Sequence, residues 1–117
     1  MRETRILNPL RAKNAKTPTQ LMQTRTVTIS NRLGLHARAA ARLVRRASHF
    51  ASKVELRRED TGEVADGKSI LSVLLLAASR GTCLIINTEG DDEERAADAL
   101  LELVEQKFGE ELSDGVF

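Results

Sequence analysis

The chain of 117 residues has no tryptophan, no tyrosine, three phenylalanines and one cysteine, Cys83. A single cysteine excludes an internal disulfide, which fits a protein of a reducing compartment. The scarcity of aromatic side chains weakens any role that needs stacked bases, such as binding of single-stranded nucleic acid. The longest apolar run, residues 70–78, is interrupted by Ser72 and is far shorter than the roughly 20 residues that span a membrane. These absences predict a cytoplasmic domain with an aliphatic core and no membrane insertion.

The charge is nearly balanced over the whole chain but uneven along it. The formal net charge is +1, whereas residues 1–22 carry five basic residues against Glu3, a net charge of +4. This segment shows no sustained hydrophobic period, and it lacks the apolar run that a secretion signal needs. We therefore predict a flexible basic extension over residues 1–22, with an RNA-binding or partner-binding arm as the alternative.

The rest of the chain alternates between strand and helix periodicities. Alternation of apolar and polar residues predicts strands at residues 23–30, 53–57 and 63–65, and an apolar run predicts a central strand at 82–87. Cys83, in that run, is expected to be a small buried residue. Apolar residues spaced three and four apart predict helices at residues 37–49, 70–77 and 91–108. One sheet with helices packed on one face accounts for this order, so we predict an α+β fold.

The predicted helices carry start signals and distinctive faces. Ser69 is a candidate N-cap for the second helix, and Asp91 with Glu94 resembles a capping box at the third. Leu71 and Leu75 point away from the core stripe of the second helix, which is formed by Ile70, Val73, Leu74 and Ala77. The outer face of the first helix is basic and is formed by Arg38, Arg42, Arg45, Arg46 and His49. That basic face is either a docking surface for acidic partners or an ordinary solvated surface.

The connection between the first strand and the first helix reads Asn31-Arg32-Leu33-Gly34-Leu35-His36-Ala37-Arg38-Ala39-Ala40. Its glycine lies in the turn that delivers His36 to the start of the helix. The first N–H groups of a helix lack internal partners and the dipole is positive there, so an anion held on the imidazole would be stabilised. Arg38 can add a full charge. A neutral imidazole is also a nucleophile near neutral pH.

This stretch resembles the active-site signature of HPr, the histidine phosphocarrier of bacterial phosphotransferase systems, written G-[LIM]-H-A-R-P-A. The departure is Ala39, where most members carry proline. The nitrogen-type branch, with N-[KR]-L-G-x-H-A-R and sometimes alanine at the proline position, is the more similar one. A second block, residues 66–74, is similar to the family's G-K-S-I-M-x-V-M. The resemblance implies an open-faced sandwich of a four-stranded antiparallel sheet and three helices over residues 23–108. Beyond it, residues 109–117 are expected to form a fraying tail.

The resemblance also implies a function and its residues. Phosphate would pass from phosphoenolpyruvate through enzyme I to the Nδ1 atom of His36, with Ala37 and Arg38 binding the phosphate, and then to an enzyme IIA. Ser69 matches a serine that a dedicated kinase phosphorylates in many members. Further residues are expected to dock partners, namely Leu71, Leu74, Leu75, Arg42 and Arg45. The protein would be a carrier with a phosphohistidine intermediate and not a self-sufficient enzyme.

Other interpretations remain open at this point. The chain fits a sugar-transport HPr as well as a nitrogen-type one. A different class is a small nucleic-acid-binding α+β module that uses the extension and the arginine-rich helix face, although the low net charge weakens backbone binding. A third possibility is a regulator that only binds partners in response to phosphorylation. The residue spacings suit no metal site, so we expect no metal and no cofactor. We expect a monomer that binds no nucleic acid.

Overall fold

A computed structural model describes residues 22–110. The prediction of a flexible extension therefore lies outside the described residues, apart from Met22. The elements are β1 (Gln23–Thr28), α1 (Ala37–Ala47), β2 (Lys53–Arg58), β3 (Val64–Asp66), α2 (Ile70–Leu75), β4 (Cys83–Glu89) and α3 (Glu93–Glu105). The predicted order of strands and helices is confirmed. Within residues 22–110, no helix has the length and apolar character needed to cross a membrane.

The four strands form one antiparallel sheet in the order β1-β4-β2-β3. The apolar strand β4 is central, as its sequence predicted. Because helices cover only one face, alternate residues of β4 differ in exposure: Leu84 and Ile86 are fully buried, whereas Cys83 and Ile85 are half-buried. The expectation of a buried Cys83 was therefore wrong, since this residue lies on the uncovered face. Partial desolvation still raises the pKa of the Cys83 thiol, and the nearby Glu59 adds to the effect.

The covered face carries an aliphatic core. Helix α1 contributes Ala40, Leu43 and Ala47, which are completely buried, and α3 contributes Leu100 and Val104. These residues pack on Ile29, just beyond β1, and on the inward side chains of the sheet, which β1, β2 and β4 supply through Val27, Val54, Leu56, Leu84 and Ile86. The predicted α+β open-faced sandwich is confirmed. The packing of α1 on the sheet fixes the direction in which its N-terminus points.

Two details of the helices differ from prediction. Helix α2 ends at Leu75, so Ala77 adopts a positive φ of 52° and is exposed, and Ile70 is 45% exposed; neither belongs to the core stripe. The predicted capping box of α3 is also wrong. The helix begins after Asp92, whose carboxylate accepts hydrogen bonds from the N–H groups of Ala51 and Ser52, both at 2.9 Å. A tertiary contact thus replaces the local one.

The chain reverses direction after α3 through a single 3-10 turn, Lys107–Gly109. Three successive residues are left-handed there, with φ values of 58° at Lys107, 55° at Phe108 and 77° at Gly109. Phe108 is buried to 1% exposure and anchors the turn. Glu110 is buried as well, at 6% exposure. The expectation that the chain frays from residue 109 was therefore wrong for the first two residues, and residues 111–117 lie outside the described part of the chain.

Candidate functional site

The loop before α1 is shaped by Gly34. Its φ of +68° is left-handed, and its N–H donates to the carbonyl of Asn31 at 3.2 Å. A Cβ at this position would lie 2.7 Å from the carbonyl oxygen of Ala78 and 2.8 Å from the Cα of Ser79. The following residue, Leu35, donates its N–H to that same Ala78 oxygen at 2.9 Å. Glycine is needed here both for its dihedral angle and for the close approach of two backbones.

His36 is the N-cap residue of α1. Its backbone is extended, with φ −78° and ψ −179°, and its carbonyl accepts the N–H of Ala40 at 2.8 Å. The imidazole does not cap the helix, so the ring remains available for other contacts. Its side chain is 24% exposed. The N–H groups of Ala37 and Arg38 belong to the first turn, where helix geometry supplies no partner and the dipole is positive.

The structure adds a residue that the sequence pattern did not indicate, Glu110. Its Oε2 is hydrogen-bonded to Nε2 of His36, and its Oε1 accepts from Nδ2 of Asn31 at 2.9 Å. The Nε atom of Arg38 lies 3.7 Å from Oε2. Asn31 is fully buried and also donates to the carbonyl of Gly34 at 2.8 Å. A carboxylate from the end of the fold therefore lies beside the histidine at its start.

The three arginines that were predicted as site residues occupy different positions. The Arg38 side chain is 62% exposed next to His36. Arg45 is exposed near the end of α1. Arg42 is half-buried, and its Nη1 donates a hydrogen bond to the carbonyl of Phe108 in the C-terminal turn. The structure thus gives Arg42 a structural partner, while its use for docking, like that of Arg45, stays a prediction.

The second predicted block lies on α2. Ser69 is the N-cap residue, and its Oγ accepts the N–H of Ser72 at 3.2 Å, which confirms the predicted cap. Leu71 and Leu75 are 67% and 71% exposed, as expected for residues outside the core, whereas Leu74 is partly buried against it. Within residues 22–110, no group of three or more histidine, cysteine or acidic side chains is arranged to hold a metal ion.

Comparison with known proteins places this fold and site in a family. The family model described as "PTS HPr component phosphorylation site" matches residues 23–106. The phosphocarrier protein HPr of Cupriavidus necator is 47% identical over 89 residues, which cover 76% of this chain and 98% of the relative. HPr of Pseudomonas aeruginosa is 48% identical over 84 residues, covering 72% and 92%.

A solved structure gives the same result. HPr-C-His from Thermoanaerobacter tengcongensis superposes with a TM-score of 0.70 at 40% identity, covering 74% of this chain and 96% of that one. The sequence comparison and the structural comparison indicate the same class of protein, the small open-faced sandwich that carries a phosphoryl group. This chain belongs to the HPr family of phosphocarriers of the phosphotransferase system.

Proposed function

We propose that His36 accepts the phosphoryl group on Nδ1. The observation that supports this proposal most is the position of the His36 imidazole, which lies partly exposed at the first turn of α1 and makes no capping hydrogen bond to the helix. Within residues 22–110, its Nε2 is bonded to Glu110 and its Nδ1 makes no hydrogen bond. The lone pair of Nδ1 would attack phosphorus while the bond between phosphorus and the donor breaks. The electron pair of that breaking bond would return to the donor.

Arg38 and the first N–H groups of α1 would bind the phosphate. Arg38 is largely exposed and its closest acidic neighbour is 3.7 Å away, so its guanidinium has room to turn toward an incoming dianion. Hydrogen bonds from a guanidinium to phosphate are strong because both groups are charged. The N–H groups of Ala37 and Arg38 add fixed donors. Replacement of Arg38 by alanine should slow transfer far more than it lowers stability.

The donor would be phosphorylated enzyme I and the acceptor an enzyme IIA. The exposed side chains of Leu71 and Leu75 give α2 an apolar outer face, which suits docking to a partner. The loop that carries His36 is bonded to Ala78, just beyond the C-terminal end of α2, so this loop and the segment that follows α2 are adjacent. Leu74, Arg42 and Arg45 are the further docking candidates.

Two finer assignments depend on sequence alone. The run Asn31-Arg32-Leu33-Gly34 favours the nitrogen-type branch, in which the carrier regulates and does not feed sugar transport. Phosphorylation of Ser69 by a serine kinase would place negative charge at the start of α2. Transfer rates to a nitrogen-type and to a sugar-type enzyme IIA, measured side by side, separate the branches: faster transfer to the sugar-type acceptor would overturn the nitrogen-type assignment.

The central experiment incubates the protein with enzyme I and phosphoenolpyruvate and measures its mass. The wild-type chain should gain one phosphate that is lost in acid and kept in base, whereas His36→Ala should gain none. The chain offers a matched control, because His49 is its only other histidine and lies exposed beyond the end of α1. His49→Ala should be labelled like the wild type. Undiminished labelling of His36→Ala would refute the proposal.

A further inference from the structure

We infer that Glu110 is a positioning residue that selects Nδ1 of His36 as the phosphorylated nitrogen and stabilises the ring during attack. The inference rests on the proposed phosphorylation of His36. It starts from the chemistry of the contact between Nε2 of His36 and Oε2 of Glu110. An ionised carboxylate has no proton to give and can only accept. The proton of the neutral imidazole must then be on Nε2, which leaves the lone pair on Nδ1.

The surroundings of Glu110 support its role as an acceptor at both oxygens. Oε1 accepts the N–H of the buried Asn31 at 2.9 Å, while Oε2 accepts from His36 and has the Arg38 guanidinium 3.7 Å away. These three neighbours of the carboxylate are all donors or cations. With its side chain only 7% exposed, the carboxylate is shielded from solvent, which strengthens its interactions.

The reaction gives this carboxylate a second effect. When the Nδ1 lone pair forms the bond to phosphorus, the ring still holds its Nε2 proton and becomes positively charged. The donor recovers the electron pair of the bond that breaks. Glu110 faces the nitrogen that bears the proton, so its negative charge is best placed to stabilise the ring in the transition state. An aspartate beside a catalytic histidine acts in the same way in serine proteases.

The position of Glu110 is set by the C-terminal turn. Three left-handed residues reverse the chain after α3, the buried Phe108 anchors the turn, and Arg42 donates to the Phe108 carbonyl. Left-handed non-glycine residues are costly and persist only where the surrounding structure holds them. The turn that delivers Glu110 to His36 is therefore built by tertiary contacts on both sides.

The test uses phosphoramidate, a small phosphoryl donor, so that docking to enzyme I plays no part. Wild-type protein, Glu110→Gln and Glu110→Ala are compared, with Glu105→Gln as the control for charge because Glu105 is an exposed residue of α3. Val54→Ala, in the core at β2, serves as the control for lost stability. Three quantities are measured: the labelling rate, the phosphorylated nitrogen identified by NMR, and the 15N shifts of the His36 ring.

The wild type and both controls should be labelled on Nδ1 and show the Nε2–H tautomer. Glu110→Gln keeps an acceptor oxygen but loses the charge, so labelling should stay on Nδ1 but slow by about tenfold. Glu110→Ala should show a mixture of tautomers and of Nδ1 and Nε2 products. Val54→Ala should melt at a lower temperature yet keep the wild-type ring shifts. If Glu110 only stabilised the fold, a loss of stability and a change in the ring shifts would occur together in both variants.

The outcomes distinguish this inference from the proposed function. If Glu110→Ala keeps the wild-type rate, nitrogen and ring shifts, Glu110 has no positioning role, although His36 remains the phosphorylated residue. If Val54→Ala reproduces the mixed labelling, the effect comes from lost stability and the inference is wrong. If His36→Ala is labelled as well as the wild type, the proposed function itself fails.

Discussion

The hydrogen bond from Arg42 to the C-terminal turn can be tested by replacing Arg42 with alanine. The sequence predicted a docking residue on an exposed basic face, whereas the structure shows its Nη1 donating to the Phe108 carbonyl. Removing a hydrogen bond that involves a charged group costs about 1.5–3 kcal/mol. Alanine regains only a few tenths of that through its helix propensity. We therefore expect Arg42→Ala to lose about 2 kcal/mol, which lowers the Tm of a domain of this size by roughly 8–16 °C.

The assay pairs thermal unfolding with phosphorylation, and Arg45→Ala is the matched control on the same helix. Arg45 is exposed, so its removal should change stability by less than about 0.5 kcal/mol. If Arg42 and Arg45 both dock enzyme I, both variants should slow labelling by enzyme I. Only Arg42→Ala should slow labelling by phosphoramidate, because loosening the C-terminal turn moves Glu110. A wild-type Tm for Arg42→Ala would refute a structural role for this side chain.

Three further predictions follow from single contacts. Gly34→Ala should lose about 2 kcal/mol or more, because its φ is +68° and its Cβ would lie 2.7 Å from a carbonyl oxygen; chemical denaturation measures the loss, and an unchanged midpoint would contradict it. Ser69→Ala should cost about 1 kcal/mol as a lost cap, whereas Ser69→Asp should keep the Tm and slow labelling by enzyme I; a normal rate would leave Ser69 as a cap alone. Hydrogen bonds from Ser52 and the Ala51 N–H lower the pKa of Asp92 from 3.8 to about 2. Stability from Asp92 is therefore full above about pH 4 and lost toward pH 2, by about 1–2 kcal/mol, and Asp92→Asn should show a flatter acid unfolding profile than the wild type.

Sequence reasoning succeeded where the signal is local. The run of four apolar residues from Cys83 to Ile86 predicted a central strand, and β4 occupies that place in the sheet. Ser69 was identified as a cap because its hydroxyl needs only the N–H of Ser72, three residues on. The turn at Gly34 and the arrival of His36 at the start of α1 also depend on a few adjacent residues. Such features are set by short-range sterics and hydrogen bonding, which a single sequence displays.

The errors share a different origin. Asp91 and Glu94 matched a capping box, yet the helix begins after Asp92 because that carboxylate finds better donors at residues 51 and 52, about 40 residues away. A long-range partner outcompeted the local one. The length of α2 was overestimated for a similar reason, since Arg58 donates to the carbonyls of Leu76 and Ala77 and favours the end of the helix there. No periodicity in the sequence encodes contacts of this kind.

Glu110 is the clearest case, and it bears on how the site works. Its partner His36 is 74 residues distant, and the reversal that brings the two together begins at left-handed Lys107 and Phe108, before Gly109, so no local pattern marks where it starts. The N-terminal end of α1, where we propose that phosphate binds, is local and forms with the helix. The orientation of the imidazole depends on closure of the last turn of the domain. Under the roles that we propose for His36 and Glu110, a chain that loses this turn would retain a basic helix end that attracts phosphate, while its histidine would no longer present Nδ1 alone. Affinity for phosphate and competence for transfer would then be supported by different parts of the fold.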